Sequence, residues 1–406
     1  MDGEIPKLRT DLEFIPAQVK GKKGVVIKDS LGLIKNPVLL TGHDIEFLGL
    51  IDGKSSIRDI QVELMRRRGG VLVGSDEVQR VVSAFDKYFL LDSERFRLEK
   101  ERVITEYAHI DVREAFLAGR SYPSSPEALR DYLASFFQEE RESLQELPGK
   151  KIKALVAPHI DLEVGKKVYA SAYHSVAKLS PEKVILLGTG HSLREHHLSL
   201  TEKDFETPLG RVKTDREMVR RLKAAGREVV SPDDFVHRSE HSLEFQLLFL
   251  QYLFEGGFTL VPLLCGSFHE VLDSVSRPSE LPGMDAFLKE ARKLVKESGN
   301  VLVVAGVDFS HIGPKFGHQQ RASSLLREAK EHDRVLIDAF CRGDGEGFWE
   351  EEKRVQGRYN VCGFSSLTLL LELFPDSRGH LLDYDFWEEK PTQSAVSFAA
   401  IALEKK

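Results

Sequence analysis

Three apolar segments of the sequence end in histidine or aspartate, residue types that bind metal ions and transfer protons. His159 follows the run "ALVAP", His191 follows "VILLGTG", and Asp308 and His311 follow "VLVVAGV". Runs rich in Val, Ile and Leu predict strands buried on both faces of a sheet. Ligands of open α/β sheets bind beyond the carboxyl ends of the strands, so we expect these side chains at one edge of the sheet.

Two further segments place reactive side chains at predicted helix starts. "SEHSLEFQL" puts Glu240 and His241 at the start of a helix that Ser239 can cap, where the helix dipole favours a negative group. "NVCGFSSLTLLL" puts Cys362 just before another helix, a position that lowers the pKa of a thiol and favours the metal-binding thiolate. Each residue taken singly is explained as well by a turn or a core position. The prediction of a site therefore depends on their convergence.

The predicted strands and helices fall into two domains. From 112 to 406, strands alternate with amphipathic helices, which predicts an α/β domain with a mostly parallel or mixed sheet and helices on both faces. Residues 1–95 contain two short strands, three amphipathic helices and a segment, "FLLDSERF", typical of a small wing. We therefore predict a winged-helix-like α+β domain there. The charged segment 96–111 is predicted to be a linker, helical in part.

Composition excludes several classes of function. The 406 residues carry a formal net charge of -7, which argues against a general nucleic-acid surface. A DNA-binding role for residues 1–95 is also disfavoured, because the predicted second and third helices are rich in acidic residues. These residues are Asp59, Glu63, Asp76, Glu77 and Asp86.

The chain carries no sign of membrane insertion or secretion. No apolar run reaches the ~20 residues that a membrane span requires, and the N-terminus lacks a basic-then-apolar secretion signal. The cysteines are few and odd in number, three in all, which argues against a disulfide framework and favours a reducing compartment. The expected location is the cytoplasm, with no membrane partner.

Eight ordered motifs from Arg113 onwards resemble the Memo family, which includes the proteins called AmmeMemoRadiSam system protein B. They are "REAFLAGRSY", "APHIDLEVG", "ILLGTGHS", "TPLG", "EHSLEFQL", "VDFSHIG", "VCGF" and "SAVSF". The resemblance implies a fold similar to the class III extradiol dioxygenases.

The resemblance also implies a metal site made by His159, His191 and Cys362. Two imidazoles and a thiolate suit iron or copper best, and zinc as well. His241 and Asp308 are then expected to line the same pocket as acid/base groups without binding the metal.

Three more residues are expected in this pocket, namely Glu240, His311 and Asp161. Asp161 is of interest because the segment "PHID" stands where the family pattern has "PHAG". We expect its carboxylate to join the metal or to bind a substrate.

Two classes of function follow from the resemblance, and both remain open at this point. The first is a metal-dependent, dioxygenase-like oxidoreductase. The second is a non-catalytic peptide-binding or scaffold protein, because "LGLIDGKSSIRDIQVEL" in the first domain resembles the PqqD-like peptide-binding domains. The expected partners on that hypothesis are a radical SAM enzyme, an AMMECR1-like protein and a peptide ligand.

Overall fold

The computed structural model describes residues 4–19, 22–29, 31–34, 38–139, 147 and 151–405. The chain divides into two compact units, residues 1–109 and residues 110–406. None of the helices in the described ranges combines the length and the apolar character that crossing a membrane requires.

The described part of the first unit contains a three-stranded antiparallel sheet and four helices. The strands, in sheet order, are β1 (Leu12–Val19), β2 (Lys22–Asp29) and β3 (Val38–Thr41). The helices are α1 (His43–Leu48), α2 (Ile57–Arg67), α3 (Ser75–Lys87) and α4 (Glu94–Ala108). The core between them includes Phe47, Ile60, Leu64, Val78 and Phe85, all of which are buried.

The end of this unit differs from the sequence-based expectation. The segment predicted as a wing contains the start of α4, because the Ser93 hydroxyl accepts a hydrogen bond from the Phe96 N–H at 3.3 Å and caps the helix. Most of the segment predicted as a linker, 96–111, is also part of α4. One face of this helix is buried through Phe96, Val103 and Tyr107. The many charged residues between them made this apolar spacing hard to recognise in the sequence.

Within its described residues, the second unit contains eleven strands and eight helices longer than one turn. In chain order up to β9 these are β4 (Val112–Arg113), α5 (Pro126–Glu139), β5 (Ile152–Ala157), α6 (Lys166–His174), β6 (Lys183–Thr189), β7 (Leu198–Leu200), β8 (Asp204–Thr207) and β9 (Gly210–Val212). They continue with α7 (Arg216–Ala225), α8 (His241–Phe254), β10 (Thr259–Cys265), α9 (Met284–Glu297), β11 (Val301–Gly306), β12 (His311–Ile312), α10 (Ala322–Arg342), α11 (Gly345–Val355), α12 (Phe364–Leu373), β13 (Ser377–Glu389) and β14 (Ser394–Lys405).

An eight-stranded mixed sheet lies at the centre of this unit. Its order is β12-β14-β5-β11-β6-β10-β7, and β13 pairs with β14. The four strands β5, β11, β6 and β10 are parallel, whereas β7, β12, β13 and β14 are paired antiparallel. The prediction of an α/β fold with a mostly parallel or mixed sheet is confirmed. The short strands β4, β8 and β9 form a separate sheet.

Helices cover both faces of the central sheet. Along β6, Ile185 and Leu187 pack into one apolar cluster, whereas Val184 and Leu186 pack into the other. The first cluster receives side chains from α7 and α9 to α12, and the second receives them from α5, α6 and α8. Successive side chains of a strand point to opposite faces, so strands with apolar residues at every position need this double cover.

The register of the parallel strands decides which residues meet at the carboxyl edge. Gly306, the last residue of β11, pairs with Ala157 on β5 and Gly188 on β6. The chain beyond each strand therefore emerges at the same level of the sheet. Helix α8 packs directly against this edge, because an added Cβ at Gly306 would lie 2.5 Å from the Ser242 backbone oxygen.

The close approach of α8 predicts that Gly306→Ala destabilises the protein. We expect a loss of about 1–3 kcal/mol in the free energy of unfolding, since the new methyl group must displace backbone or Gln246. Urea denaturation measures the change. Gly345→Ala is the matched control, because its Cβ would meet its nearest neighbour at 3.9 Å, and a change within about 0.5 kcal/mol is expected. Equal values for the two variants would contradict the close packing.

Candidate metal centre

His159 lies just beyond β5, where Pro158 provides no N–H for the strand ladder. Its Nδ1 lies 2.9 Å from the Gly306 carbonyl oxygen, which can only accept, so Nδ1 carries the proton and Nε2 bears the lone pair. The side chain is 3% exposed. Burial lowers the pKa of His159 well below its ordinary value, and the charges of His191 and His241 lower it further. The ring is therefore neutral, as a metal ligand must be.

His191 lies just beyond β6 and is oriented by the carboxylate of Glu240. Its Nδ1 lies 3.0 Å from Oε2 of Glu240, and its backbone N–H donates to the same oxygen at 3.1 Å. The carboxylate is an acceptor, so it fixes the Nδ1–H tautomer. A metal-binding histidine commonly has its second nitrogen held in this way.

Glu240 also caps the start of helix α8, where the sequence predicts Ser239 as the cap. Its Oε1 accepts a hydrogen bond from the Ser242 N–H at 3.0 Å and lies 3.2 Å from Nδ1 of His241. Burial alone would raise the pKa of Glu240, but His191 and His241 outweigh it and hold the pKa well below its ordinary value. A longer carboxylate side chain replaces the expected serine cap because it also reaches His191.

Cys362 lies two residues before α12, beside His159. Its Sγ is 3.4 Å from Nε2 of His159 and 3.5 Å from the backbone oxygen of Asp308. The expected low pKa of this thiol is wrong. Burial raises the pKa of Cys362 well above its ordinary value, and the Asp308 charge adds to the effect. Desolvation exceeds the influence of the helix N-terminus, so a thiolate here needs a cation beside it.

The structure brings His159, His191 and Cys362 together, since one ligand atom from each lies within 4.8 Å of the others. His191, Glu240 and His241 form a second group that meets the same distance limit.

His241 and Asp308 lie beside these three residues. The His241 ring centroid is 5.2 Å from that of His159 and 4.9 Å from that of His191. Oδ2 of Asp308 is 3.6 Å from Nε2 of His159. Burial raises the pKa of Asp308 to about 7, although hydrogen bonds from the His159 and Ile160 N–H groups oppose it. Asp308 can therefore hold or release a proton near neutral pH.

The two remaining expected pocket residues, Asp161 and His311, belong to neither group of clustered ligand atoms. Asp161 is exposed, and its Oδ1 accepts a hydrogen bond from the Glu163 N–H at 3.1 Å, so its carboxylate shapes the turn before α6. This local bond explains why the "PHID" segment does not bring a carboxylate to the cluster. His311 turns its Nδ1 to the Phe309 oxygen at 2.9 Å and packs on Phe316. Its pKa falls to about 4, mainly through burial.

A cavity of about 190 Å³ opens next to the cluster. Its wall includes His191 and Cys362. It also includes Cys265 and His269, which were not among the predicted site residues. Both follow the pattern of the other site residues: Cys265 ends strand β10, and His269 lies four residues beyond it. Burial raises the pKa of Cys265 to about 12, so its thiol stays protonated.

The fold and the cluster define an α/β protein with a His/Cys site at the carboxyl edge of a mixed sheet. Residues 113–402 match the family model described as Memo-like protein. The chain therefore belongs to the Memo-like family, as the sequence motifs predicted.

Curated relatives are MEMO1 family proteins. That of Aquifex aeolicus is 29% identical over 405 residues, covering 98% of this chain and 99% of its own. That of Thermus thermophilus is 28% identical and covers 86% of this chain and 99% of its own. That of Methanopyrus kandleri is 31% identical and covers 67% of this chain and 91% of its own. The similarity to the Aquifex protein thus extends over the first unit as well.

The contacts of Glu240 predict that Glu240→Gln destabilises the fold. The amide places an N–H₂ donor among groups that already donate, so a loss of about 1–3 kcal/mol in the free energy of unfolding is expected. Urea denaturation of the metal-free protein measures it. The exposed Glu195 supplies the control, and Glu195→Gln should change the value by less than about 0.5 kcal/mol. A similar small change for both variants would show that Glu240 is not required at the strand end.

Proposed function

We propose that this protein binds one iron or copper ion through His159, His191 and Cys362 and acts as a metal-dependent oxidoreductase. The observation that carries the proposal is the approach of the three ligand atoms to within 4.8 Å of one another. Nδ1 of each imidazole has an acceptor partner, namely the Gly306 oxygen for His159 and Glu240 for His191. Such outer hydrogen bonds orient histidines for metal binding.

The donor set fits a transition metal. Two neutral imidazoles and a sulfur suit iron, copper and zinc, whereas magnesium and calcium prefer oxygen ligands. A bound iron or copper ion would supply one-electron redox chemistry. The cation would also offset the burial of the Cys362 thiolate, which the metal-free pocket disfavours.

Asp308 and His241 are the proposed acid/base groups. Asp308 has a pKa of about 7 and lies 3.6 Å from Nε2 of His159, so it can take up or release a proton next to the ligands. His241 stacks on His191 with an interplanar angle of 14° and has Glu240 beside its Nδ1. The fold similar to extradiol dioxygenases that the sequence motifs imply would add an analogy of fold to this argument.

A second candidate function is a non-catalytic scaffold that presents a peptide to a radical SAM enzyme together with an AMMECR1-like protein. It is supported by exposed apolar side chains on the first unit, since Val62 and Val71 are 60% exposed and Leu72 is 85% exposed. Apolar groups left in water favour a binding surface. Oxygen consumption by metal-loaded protein distinguishes the two functions, because a scaffold should consume none.

The metal assignment predicts different outcomes for two cysteines, Cys362 and Cys265. Cys362→Ser should weaken metal binding by at least about tenfold, since the loss of a residue that only hydrogen-bonds to a metal ligand already lowers metal affinity by about that factor. Cys265→Ser should leave the metal content unchanged, because Cys265 belongs to neither group of clustered ligand atoms. Elemental analysis of protein purified without chelators or affinity nickel measures the content, and an oxygen electrode measures turnover. Equal metal content in both variants would refute the assignment.

His241 provides a test of the proposed acid/base role. His241→Ala should keep a metal content near that of the parent protein while lowering the rate of oxygen consumption by about 10²–10⁴-fold, the usual worth of an acid/base group. The two measurements are made on the same preparation. Loss of the metal in this variant would make His241 a ligand, and an unchanged rate would exclude it from proton transfer.

A further inference from the structure

A second series of ionisable side chains runs from the cavity wall into the interior. His269 lines the cavity, and its Nε2 lies 2.9 Å from Oε1 of Glu352. The other oxygen of Glu352 lies 2.9 Å from Nε2 of His332. Nδ1 of His332 in turn lies 2.9 Å from Oε1 of Glu351. Two imidazoles and two carboxylates therefore alternate along one hydrogen-bonded chain.

Glu352 is the central member of this chain, and its side chain has 0% exposure. Burial alone would raise its pKa, but hydrogen bonds from His269 and His332 outweigh burial and lower the pKa of Glu352. The converse holds for His332, where burial opposes protonation but the two glutamates raise the pKa. A negative carboxylate is thus held in the interior, and it can only accept hydrogen bonds.

This carboxylate decides the tautomer of His269. Because Glu352 accepts from Nε2, a neutral His269 carries its proton there and has its lone pair on Nδ1. Nδ1 lies 3.0 Å from the hydroxyl oxygen of Ser267, another residue of the cavity wall. The same hydroxyl oxygen accepts the His269 N–H at 3.2 Å, so its own proton is directed to Nδ1.

The ring of His269 is also fixed by packing. Gly357 has a φ of 65°, and an added Cβ there would lie 2.8 Å from Cδ2 of His269. The Phe364 ring lies beside the imidazole at a centroid distance of 5.3 Å. The ring is therefore held in place and oriented, while its side chain remains 25% exposed.

We propose that His269 is a catalytic base of this cavity, that Ser267 relays the proton, and that Glu352 with His332 fixes the base in position. The ligand is a small molecule with an ionisable hydroxyl group. That hydroxyl gives its proton to Ser267, the Ser267 proton moves to Nδ1 of His269, and the products are an alkoxide or phenolate and an imidazolium. No electron is exchanged in the step. The inference rests on the proposed function in one respect, because the neighbouring metal would bind the same ligand.

The test uses 4-nitrophenol as the probe, since its visible absorbance reports whether the hydroxyl is ionised. A single ring fits a cavity of this size, because a cavity of about 150 Å³ accommodates benzene. The probe is titrated into zinc-loaded and zinc-free protein below its own ionisation midpoint. Bound to the parent protein it should show about tenfold more phenolate, relative to phenol, than when bound to His269→Gln. Glu352→Gln should show the same loss.

His380 supplies the matched control, because its Nε2 makes the same 2.9 Å contact with a carboxylate, that of Glu404, on the strands β13 and β14. His380→Gln should therefore behave as the parent protein does. Equal phenolate fractions in the parent protein and His269→Gln would overturn the proposal, and so would failure of the parent protein to bind the probe.

A second measurement does not depend on how the variants fold. The ¹⁵N spectrum of the histidine rings in the zinc-free parent protein should show His269 protonated at Nε2, and a neutral ring protonated at Nδ1 would overturn the proposal. If the proposed metal site does not bind zinc, the protein will contain no zinc after loading. The spectra of the probe with and without added zinc will then be identical. The contrast between the parent protein and His269→Gln would still be measured in both preparations.

Discussion

The carboxylate of Glu240 joins the two parts of the fold on which the site depends. It accepts from the backbone and ring of His191 at the end of β6, and from the Ser242 N–H at the start of α8. One buried charge therefore sets the position of a strand end, a helix start and an imidazole. The imidazoles of His191 and His241 offset the cost of burial, because they hold the Glu240 pKa well below its ordinary value.

Burial governs the electrostatics of the rest of the cluster. His159 is kept neutral, Cys362 is kept protonated, and the pKa of Asp308 is raised to about 7, in each case mainly because charge is costly away from water. These shifts minimise buried charge and leave His159 and Cys362 as neutral groups. A cation would reverse the balance for the thiol, which gives metal binding and proton release from Cys362 a common physical origin.

The carboxyl edge of the sheet thus carries two kinds of ionisable group. One is the compact set of His159, His191 and Cys362, and the other is the extended chain that begins at His269 and continues through the buried Glu352. Both reach the same cavity of about 190 Å³. The family assignment describes residues 113–402, and the similarity to the Aquifex aeolicus protein covers nearly the whole chain.

The α/β class, the family and the residues that follow the strands could all be predicted from the sequence. The apolar runs before His159 and His191 predicted the two strands that the structure shows as β5 and β6.

The hydrogen-bond partners, the side-chain directions and the pKa values of the site could be read only from the tertiary structure. It placed Glu240 rather than Ser239 at the start of α8, turned Asp161 to solvent, and brought His269 into the cavity through contacts with a carboxylate 83 residues away. It also raised the pKa of Cys362, which its helix position alone would have lowered. Periodicity records which face of an element is buried, but hydrogen-bond partners and desolvation arise between segments that are distant in the chain.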